Sequence, residues 1–565
     1  MNSTINRAAL SQDLIGLLDK IAKTKLENGQ SLIEITTFQQ ISYWWFIRFN
    51  LFHAIKSIVS TDKPSKITLK QRMLAKLREP FSLIYDVSFA LMCNLLVIGR
   101  KRKNLSKKTK VLVTDYNSRW GDVFDSGTNQ TVKSNVFLHP VFMELIKQNE
   151  FEVVTCSQVG MHALGFRVLF EKLFGRKEIV HRPLEAFWSN RVWQEGQEAK
   201  KHFSNIWAKL CQDPNFINLW QFNGFNLWPY IKDELEFCFN YRFPRVKKYL
   251  AMTKNLLLAE NPAAILIDCE YGGFPHSLII NAKLMGISTL AIQHGNISPF
   301  HEAYMFLTGD IAPNADVKSP FYPIPEITAV YGPCEKEFLT KVSVYPENRV
   351  VVTGHPRYDF LAKVGEIYCR ETILRDFNLS SNKKIIVWTT QMHFVPLSEQ
   401  KATLRAVMEA VQSLQGEVEL LIKMHPHEKS MALYQNACQE YGVKAAVTQN
   451  RNIFEVLYAA DLVVTKHSTT GTEALILNKP ILILNLSGEN DLTSYVDEKV
   501  AIGVKVPQAL LPAIKSALWD NGTRQLLQDH RRQFVFNHCY KIDGLAAQRV
   551  VGVLKEMLGL SRQGV

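Results

Sequence analysis

Residues 264–292 read AILIDCEYGGFPHSLIINAKLMGISTLAI, and this stretch decides the fold class. The apolar run Ala264–Ile267 is followed by a loop with two glycines, a helical stretch at 276–285 and a second apolar run at 289–292. Short, continuous apolar runs that alternate with helices are typical of parallel strands buried on both faces. The stretch therefore predicts an α/β fold with a parallel sheet.

The same order of strand, loop, helix and strand recurs on both sides of this stretch. Upstream we predict a strand at 111–113, a polar loop at 114–131, a helix from about 135 to 147 and a strand at 152–154. Helices inserted in this first sheet domain are expected at 160–250. Further strands are predicted at 327–330, 350–353, 384–389, 418–422, 445–448, 462–465 and 481–484.

This order predicts two Rossmann-like domains in series that face a cleft, preceded by a helical region. The expected boundaries are 1–105 for the helical, membrane-associating region, 106–375 for an acceptor domain and 376–565 for a nucleotide-donor domain. Ligands bind at the carboxyl ends of strands in such sheets, so the polar residues that follow each strand are the candidate site residues.

Composition excludes several other classes of protein. The 565 residues carry a net charge of +13, and 47% of them are hydrophobic, which argues against a disordered, collagen-like or coiled-coil chain. Nine scattered cysteines form no Cys-x-x-Cys pair, so a zinc ribbon, a thioredoxin-type site and a disulfide scaffold are not expected. The N-terminus lacks the features of a secretory signal, and we expect a cytoplasmic protein.

Positive charge is concentrated at residues 100–110, where seven of eleven residues are Lys or Arg. Residues 81–99, just before them, carry one charge, Asp86. At 41–59, aromatic and aliphatic residues recur at helical spacing, which fits either a helix packed on a core or one lying on a membrane. We expect peripheral association of residues 40–110 with the anionic inner face of a bacterial inner membrane. The basic cluster lacks interleaved aromatics and a binding motif, so no nucleic-acid partner is expected.

Two motifs follow strands of the first domain. Gln293-His294-Gly295-Asn296 offers an imidazole for proton transfer and a glycine for close approach of a substrate, although a histidine bonded to a loop carbonyl is the alternative. Gly354-His355-Pro356-Arg357 offers a guanidinium for a phosphate. The alternative for this second motif is an interdomain hinge with Arg357 paired to Asp359.

Two further motifs follow strands of the second domain. Lys423-Met424-His425-Pro426-His427 places three potential cations at one strand end, which suits a diphosphate. A metal site at the two histidines lacks a third ligand at a recognisable spacing, and no metal is expected. The stretch at 466–475 opens a helix, where hydroxyls and free backbone amides would bind an anion, unless it is an ordinary helix cap. Its candidate nucleotide-binding residues are Ser468, Thr469, Thr470 and Glu473.

Three of these elements occur in an order that resembles a known group of enzymes. They are His294-Gly295, the Lys-x-His-Pro-His element at 423–427 and Ser-Thr-Thr-Gly-Thr-Glu-Ala at 468–474. Together they resemble GT-B glycosyltransferases of bacterial surface polysaccharides, above all the capsule and O-antigen Kdo transferases. Polysialyltransferases and the CDP-glycerol glycerophosphotransferases of teichoic acid synthesis are more distantly similar. The resemblance covers about 265–555 and implies a nucleotide-activated donor, commonly a cytidine nucleotide, on the second domain.

The resemblance implies a catalytic carboxylate on the first domain. Asp268 and Glu270 follow the strand that ends at Ile267, and alternation along a strand predicts that they lie on the same side. Either is a candidate nucleophile or general base, with His294 beside them, although a helix cap or a salt bridge is the alternative for Asp268. Asp115 is a candidate acceptor-binding residue in the first loop.

We therefore expect a glycosyltransferase that moves Kdo or another acidic sugar from a cytidine-nucleotide donor to a capsule, O-antigen or other surface glycan. The expected partners are a nucleotide-sugar donor, a glycan or glycolipid acceptor and an anionic membrane surface, with no cofactor. A CDP-polyol phosphotransferase of the teichoic-acid type, with His294 and His427 as the reacting pair, is the first alternative. An isomerase resembling nucleotide-sugar 2-epimerases and a non-catalytic assembly partner are the others.

Overall fold

The computed structural model describes residues 7–61, 73, 81–98, 108–125, 127–128, 130–159, 163–175, 178–295, 297–298, 301–392, 395–487, 491 and 493–560. The chain forms two compact units, Met1–Arg357 with Leu545–Val565, and Tyr358–Gly544. This division differs from the expected boundaries after residues 105 and 375. The N-terminal helices belong to the first unit, and the last helix of the chain returns to it.

The first unit is built on a seven-stranded sheet in which all neighbouring strands are parallel. Its strands are β1 Thr109–Thr114, β2 Phe151–Ser157, β3 Ile179–Pro183, β4 Ala264–Ile267, β5 Ser288–Ile292, β6 Ile327–Val330 and β7 Val350–Val352. They lie in the order β7-β6-β5-β4-β1-β2-β3. The chain runs outward from β1 to β3, returns to the middle and runs outward again from β4. Ligands of such sheets bind beside this reversal, between β1 and β4.

Helices cover both faces of this sheet. Alternate strand residues face two separate cores, so that Leu112 and Ile265 lie in one and Val111 and Leu266 in the other. The helices of the unit are Arg7–Lys23, Leu32–Ile35, Trp44–Thr61, Ser82–Ile98, His139–Lys147, Ala163–Phe174, Asn190–Leu210, Pro214–Asn218, Trp228–Phe237, Phe243–Glu260, Gly273–Leu284, Pro333–Glu337 and Ala546–Met557. Those between β3 and β4 confirm the predicted helical insertion.

The N-terminal helices share a core with the first sheet. The Trp44–Thr61 helix buries Trp44, Trp45 and Phe52 in the same cluster as Ile265. Aromatic burial on this scale ties the helix to the sheet domain. The core-packing interpretation of residues 41–59 is confirmed for these buried aromatic side chains.

The Ser82–Ile98 helix has one buried and one exposed apolar face. Phe89 and Cys93 pack in a small core, whereas Ile84, Leu91 and Leu95 are 67%, 59% and 70% exposed. No helix among the described residues has the length and apolarity to cross a bilayer. Most of the basic cluster lies outside the described residues, which include only its last members from residue 108 onward.

A hairpin replaces part of the polar loop predicted at 114–131. Trp120–Asp125 pairs antiparallel with Gln130–Asn135, and the following helix begins at His139 rather than near 135. Val123 lies opposite Val132, but the strands are otherwise largely polar. Because a two-stranded hairpin buries little, its sequence lacks the apolar run on which the strand predictions depended.

The last helix of the chain, Ala546–Met557, packs on the sheet of the first unit. It buries Val550 and Leu554 in the core beneath β1 and β4, and Arg549 Nε donates to the carbonyl oxygen of Thr353 at 2.7 Å. The expected boundaries 376–565 place this helix in the second domain, whereas the structure groups it with the first unit. Packing between distant segments, not chain order, decides where it lies.

The second unit has a six-stranded parallel sheet. Its strands are β8 Lys384–Thr389, β9 Val418–Lys423, β10 Ala445–Thr448, β11 Leu462–Thr465, β12 Ile481–Leu484 and β13 Ala501–Val504, in the order β10-β9-β8-β11-β12-β13. The reversal lies between β8 and β11. Its helices are Val364–Ile367, Arg370–Asp376, Leu397–Gln412, Ala432–Glu440, Ile453–Ala459, Thr470–Ile476, Leu510–Trp519 and Asn521–Cys539. The two doubly wound sheets confirm the predicted pair of Rossmann-like domains.

Candidate active site

Asp268 lies in a buried hydrogen-bond network beside the reversal of the first sheet. Its Oδ1 accepts from Thr114 Oγ1 at 2.9 Å, and its Oδ2 forms an ion pair with Arg119 Nη1 at 2.6 Å. The side chain is 1% exposed. Burial raises the pKa of Asp268 to about 6, although Arg119 and Thr114 act in the opposite direction. The carboxylate holds Arg119 in place and does not face solvent.

Glu270 is equally enclosed. Its Oε2 accepts from Thr328 Oγ1 at 3.0 Å and its Oε1 from Tyr345 OH at 3.2 Å, and the residue is 3% exposed. Burial raises the pKa of Glu270 to about 7, although both hydrogen bonds lower it. A carboxyl group with this pKa titrates in the range that proton-transfer catalysis uses.

The two carboxylates form their hydrogen bonds in opposite lateral directions from β4. Asp268 bonds toward Thr114 of β1, on one side, and Glu270 toward Thr328 of β6, on the other. The strand ends at Ile267, so the alternation on which the expectation rested does not extend to either residue.

His294 follows β5 and is half-buried. Its Nε2 lies 3.2 Å from Tyr271 OH, and His301 Nε2 lies 3.4 Å from the same hydroxyl. His294 Nδ1 has no hydrogen-bond partner among the described residues. Burial, with Arg119 and His301, lowers the pKa of His294 to about 3, so the ring is neutral at pH 7. Of the three predicted catalytic residues, His294 is the one with a polar atom, the buried Nδ1, that makes no hydrogen bond to a described residue.

Gln293 braces the loop that carries His294. Its Nε2 donates to the carbonyl oxygen of Gly295 at 2.7 Å, and its Oε1 accepts from the Tyr331 amide at 2.8 Å. Gln293 is 3% exposed and holds this loop in place, and its contact with a substrate stays a prediction. A Cβ built on Gly295 would meet no heavy atom within 4 Å, so the surrounding protein does not require glycine there.

Asp115, the predicted acceptor-binding residue, is also buried and bonded to neighbouring side chains. Its Oδ2 lies 3.0 Å from Lys172 Nζ, its Oδ1 accepts from Asn135 Nδ2 at 2.9 Å, and it is 2% exposed. A buried carboxylate is stable when it is paired and hydrogen-bonded in this way. The role in acceptor binding finds no support in this position.

Arg357 lies in the first unit, over the ring of Phe137, with its Cζ 5.7 Å from the ring centroid. The same ring is approached by Arg119, whose Cζ lies 5.4 Å from the centroid. His355 stacks on Tyr331 with ring centroids 3.7 Å apart. The carboxyl edge of this sheet therefore carries two guanidinium groups on one aromatic ring, which suits an anionic ligand.

In the second unit, β8 connects the two predicted nucleotide motifs. β8 lies between β9 and β11, the strands that precede these motifs. Thr390, just after β8, accepts from the His425 amide at 3.2 Å. Gln391 accepts from the His467 amide at 2.7 Å. Both motifs are thus anchored to one strand end at the reversal of the sheet.

The Lys423–His427 element contains buried and exposed groups. Lys423 is 8% exposed, donates to the carbonyl oxygen of Gln449, and has its pKa lowered by burial. His425 Nδ1 accepts from the His427 amide at 3.2 Å, which leaves the hydrogen of a neutral ring on Nε2. Pro426 and His427 are exposed and His425 is half-buried. The imidazoles of His425 and His427 are therefore accessible to solvent, whereas the Lys423 side chain is buried.

The turn at 468–472 is closed by Tyr495. Tyr495 OH donates to the Ser468 carbonyl oxygen at 3.0 Å and accepts from the Thr472 amide at 3.1 Å. The Gly471 amide donates to the same Ser468 oxygen at 3.1 Å, and the Thr470 amide to Ser468 Oγ at 3.1 Å. The free amides expected at this helix start are therefore occupied, and an anion would depend on side-chain donors.

The hydroxyls of this turn differ in exposure. Thr469 is exposed and Ser468 is half-buried, whereas Thr470 Oγ1 points inward, 3.3 Å from Thr389 Oγ1. Glu473, a predicted nucleotide-binding residue, is 2% exposed and lies beneath the surface of this turn. Lys466, at the start of the motif, forms an ion pair with Glu399.

Sequence reasoning missed Arg119, Tyr271, Gln391 and Tyr495. Gln391 lies two residues after the end of β8. A polar residue that follows a strand is the signal by which the other motifs were predicted, so Gln391 could have been predicted in the same way. Arg119 and Tyr495 lie in polar segments with no such signal, and only the folded chain brings them to the site. Within the described ranges, no three His, Cys, Asp or Glu side chains are grouped as a metal site requires.

Residues 327–556 match the family model described as CDP-Glycerol:Poly(glycerophosphate) glycerophosphotransferase. The matched region takes in the second unit with β6 and β7 of the first, and it leaves out Asp268, Glu270 and His294. No curated protein matches the chain. With the two Rossmann-like sheets, the family match confirms the predicted resemblance and a transferase of the GT-B type.

Several solved structures are similar to the chain. UDP-GlcNAc 2-epimerase from Neisseria meningitidis bound to UDP-GlcNAc has a TM-score of 0.47 at 13% identity, covering 79% of this chain and 100% of that one. A variant of the wall teichoic acid polymerase TagF has 0.44 at 14%, covering 86% and 98%. A glycosyltransferase from Rickettsia africae has 0.44 at 12%, covering 81% and 100%. Likeness of this degree does not distinguish an epimerase from a transferase.

Proposed function

We propose that the protein transfers a polyol phosphate from a CDP-linked donor to a hydroxyl of a growing cell-surface polymer. The observation that carries the proposal is the match of residues 327–556 to the glycerophosphotransferase family model. The geometry of the first unit favours it over glycosyl transfer, because the oxygens of both candidate carboxylates are hydrogen-bonded within the unit, whereas the buried Nδ1 of His294 makes no hydrogen bond to a described residue.

The donor nucleotide binds to the second unit at the reversal of its sheet. The half-buried His425 and Ser468 and the exposed His427 and Thr469 offer N–H and O–H donors for the diphosphate. Lys423 adds positive charge from beneath. In this assignment the predicted residues of both motifs contribute to nucleotide binding, except that Glu473 is buried and supports the turn from beneath.

In the proposed reaction, the acceptor hydroxyl oxygen attacks the β-phosphorus of the CDP-polyol. The new P–O bond forms as the bond from the β-phosphorus to the bridging oxygen breaks, and CMP leaves with that oxygen. His294 accepts the hydroxyl proton, because its ring is unprotonated at pH 7. Cationic side chains stabilise the charge that develops on the transferred phosphoryl group.

Glycosyl transfer, from a cytidine-nucleotide sugar such as an activated Kdo, is the second candidate. The observation that favours it is the raised pKa of Glu270, about 7, which fits a general base at neutral pH.

Incubation with CDP-glycerol, CDP-ribitol, CMP-Kdo and UDP-GlcNAc separates the two candidate functions. A new phosphodiester in ³¹P NMR supports the proposal, whereas a sugar transferred without donor phosphorus, or epimerised UDP-GlcNAc, would contradict it.

The two candidates differ in pH dependence. A base is active when unprotonated, so His294, with a pKa of about 3, is expected to keep kcat/KM level from pH 5 to 8. Glu270 as the base would make kcat/KM fall about tenfold per unit below pH 7, since its carboxylate would be lost there. The measurement is kcat/KM for the acceptor at saturating donor, and an acid limb near pH 7 that Glu270→Gln removes would refute the His294 assignment.

We further propose that the exposed face of the Ser82–Ile98 helix binds an anionic membrane surface. Its apolar side chains resemble those of interfacial helices, which bury such a face among lipid headgroups. Leu91→Asp with Leu95→Asp should weaken cosedimentation with anionic liposomes about tenfold or more, since burying one leucine contributes about 1.5–3 kcal/mol. Leu258→Asp, at a leucine that is 62% exposed on another helix, is the matched control. Equal liposome binding by the Leu91→Asp/Leu95→Asp protein and the Leu258→Asp control would contradict the proposal.

A further inference from the structure

A cavity of about 320 Å³ lies in the first unit, beside Tyr271. It is lined by the Trp44–Thr61 helix, by the start of the Gly273–Leu284 helix and by residues near Glu302. Its size is in the range of small-molecule sites, roughly 300–1,000 Å³. Tyr271 joins it to the candidate catalytic histidine, because the hydroxyl of Tyr271 lies 3.2 Å from His294 Nε2. Much of the lining comes from residues 15–52, outside the region that matches the family model.

Arg48 supplies a positive charge to the lining of this cavity. Its Nη2 donates to the Met305 carbonyl oxygen at 2.7 Å, and its Cζ lies 5.2 Å from the ring centroid of Phe306. It is 7% exposed and forms no ion pair with any described residue. A guanidinium has five N–H donors, and Arg48 uses one of them within the described part of the chain. Burial lowers the pKa of Arg48, although Asp310 and Asp19 act in the opposite direction without contacting it. A phosphate in the cavity would supply a negative charge in direct contact.

His276 adds a second polar group that lacks a partner. Its Nε2 lies 2.6 Å from Tyr322 OH, and the residue is 3% exposed. Its Nδ1 is buried and makes no hydrogen bond to a described residue. When Tyr322 donates to Nε2, the hydrogen of the neutral ring lies on Nδ1, which then donates to a ligand.

The rest of the lining suits a ligand with hydroxyl groups. Glu302, paired with His53, contributes a carboxylate, and such groups accept hydrogen bonds from hydroxyls. The rings of Trp45, Phe49 and Phe306 provide flat apolar walls. Cation, carboxylate and aromatic walls together fit a small polyol or sugar that carries one phosphate.

We propose that this cavity binds a polyol or sugar phosphate, the phosphorylated end of the acceptor, with Arg48 on the phosphate. The assignment rests on the proposed function, because it places the acceptor beside His294. It makes Arg48 a specificity-determining residue from a segment that belongs to neither Rossmann-like sheet.

Calorimetry on the full chain with glycerol 3-phosphate tests the proposal, with glycerol, inorganic phosphate and glucuronate as comparison ligands. Arg48→Met is expected to weaken glycerol 3-phosphate binding about 10- to 100-fold, the loss of one charge-assisted contact. Arg48→Lys should recover part of that loss. Arg191→Met, at an exposed arginine paired with Glu195, is the charge control and should bind normally.

Ala303→Leu keeps the proposal testable if Arg48→Met fails to fold. Ala303 lines the cavity, so a larger side chain there should exclude the ligand while Arg48 remains. Normal glycerol 3-phosphate affinity in a folded Arg48→Met or Ala303→Leu protein, or tighter binding of glucuronate, would overturn the proposal. Glycerol 3-phosphate binding that depends on Arg48, in a protein with no CDP-polyol turnover, would uphold the site and contradict the proposed function instead.

Discussion

Replacing His294 with Ala is expected to lower turnover with a CDP-polyol donor about 10²- to 10⁴-fold, the usual contribution of a general base. The reason is its position: a neutral, half-buried imidazole at the end of β5, with Nδ1 unbonded among the described residues. Affinity for CDP should change little, because the nucleotide-binding residues lie in the other unit. Turnover is measured by CMP release and affinity by calorimetry.

The controls for this result are neighbours that share its surroundings. His301→Ala removes the other imidazole that approaches Tyr271 OH and should reduce turnover far less. Asp268→Asn and Glu270→Gln keep the shape of the enclosed carboxyl groups. If either abolished turnover with the protein folded, and His294→Ala retained it, the catalytic group would be a carboxylate and glycosyl transfer would become the better proposal.

The two sheets were predictable because their strands carry a strong local signal. Parallel strands buried on both faces are short apolar runs, and β4, β5, β8, β9 and β11 all show it. β3 and β13 were missed because their sequences lack a continuous apolar run: β3 includes His181 and Arg182, and β13 includes Gly503. Position at a sheet edge does not explain this, since β7 and β10 also lie at edges and were predicted.

The grouping of segments into units was not predictable from local pattern. The helix at Ala546–Met557 follows the second sheet in sequence but buries Val550 beneath the first. The helix at Trp44–Thr61 was expected in a separate region, yet its aromatic side chains complete the first core. Such packing joins residues hundreds of positions apart, and no window of sequence contains both partners.

The positions of the candidate residues in the sheets were predictable from the sequence, but their exposure to solvent was not. The polar residues that follow strands lie at the carboxyl edge of each sheet, where doubly wound folds bind ligands. Whether a side chain there faces solvent depends on distant partners. Asp268 is closed off by Arg119 and Glu270 by Thr328 and Tyr345, and these contacts exist only in the folded chain.

Gly471→Ala is expected to damage nucleotide binding through a steric conflict at the turn that follows β11. A Cβ on Gly471 would lie 2.8 Å from Tyr495 Cε2 and 2.9 Å from its Cζ. Tyr495 is 4% exposed and its hydroxyl is bonded to Ser468 and Thr472, so the ring cannot move without moving the turn. Overpacking of this kind costs about 1–3 kcal/mol, and relief by displacing Ser468 would lower CDP affinity about 5- to 150-fold.

Gly416→Ala separates this conflict from a general effect of replacing glycine. A Cβ there meets no heavy atom within 4 Å, and the residue lies in a turn of the same unit, before β9. Tyr495→Phe tests the hydrogen bonds alone, since it keeps the ring and removes the hydroxyl that holds both ends of the turn; a smaller loss of CDP affinity is expected from it. Calorimetry with CDP and thermal unfolding of all three variants decide the matter. CDP affinity in Gly471→Ala equal to that in Gly416→Ala would mean that the turn at 468–472 does not contact the nucleotide.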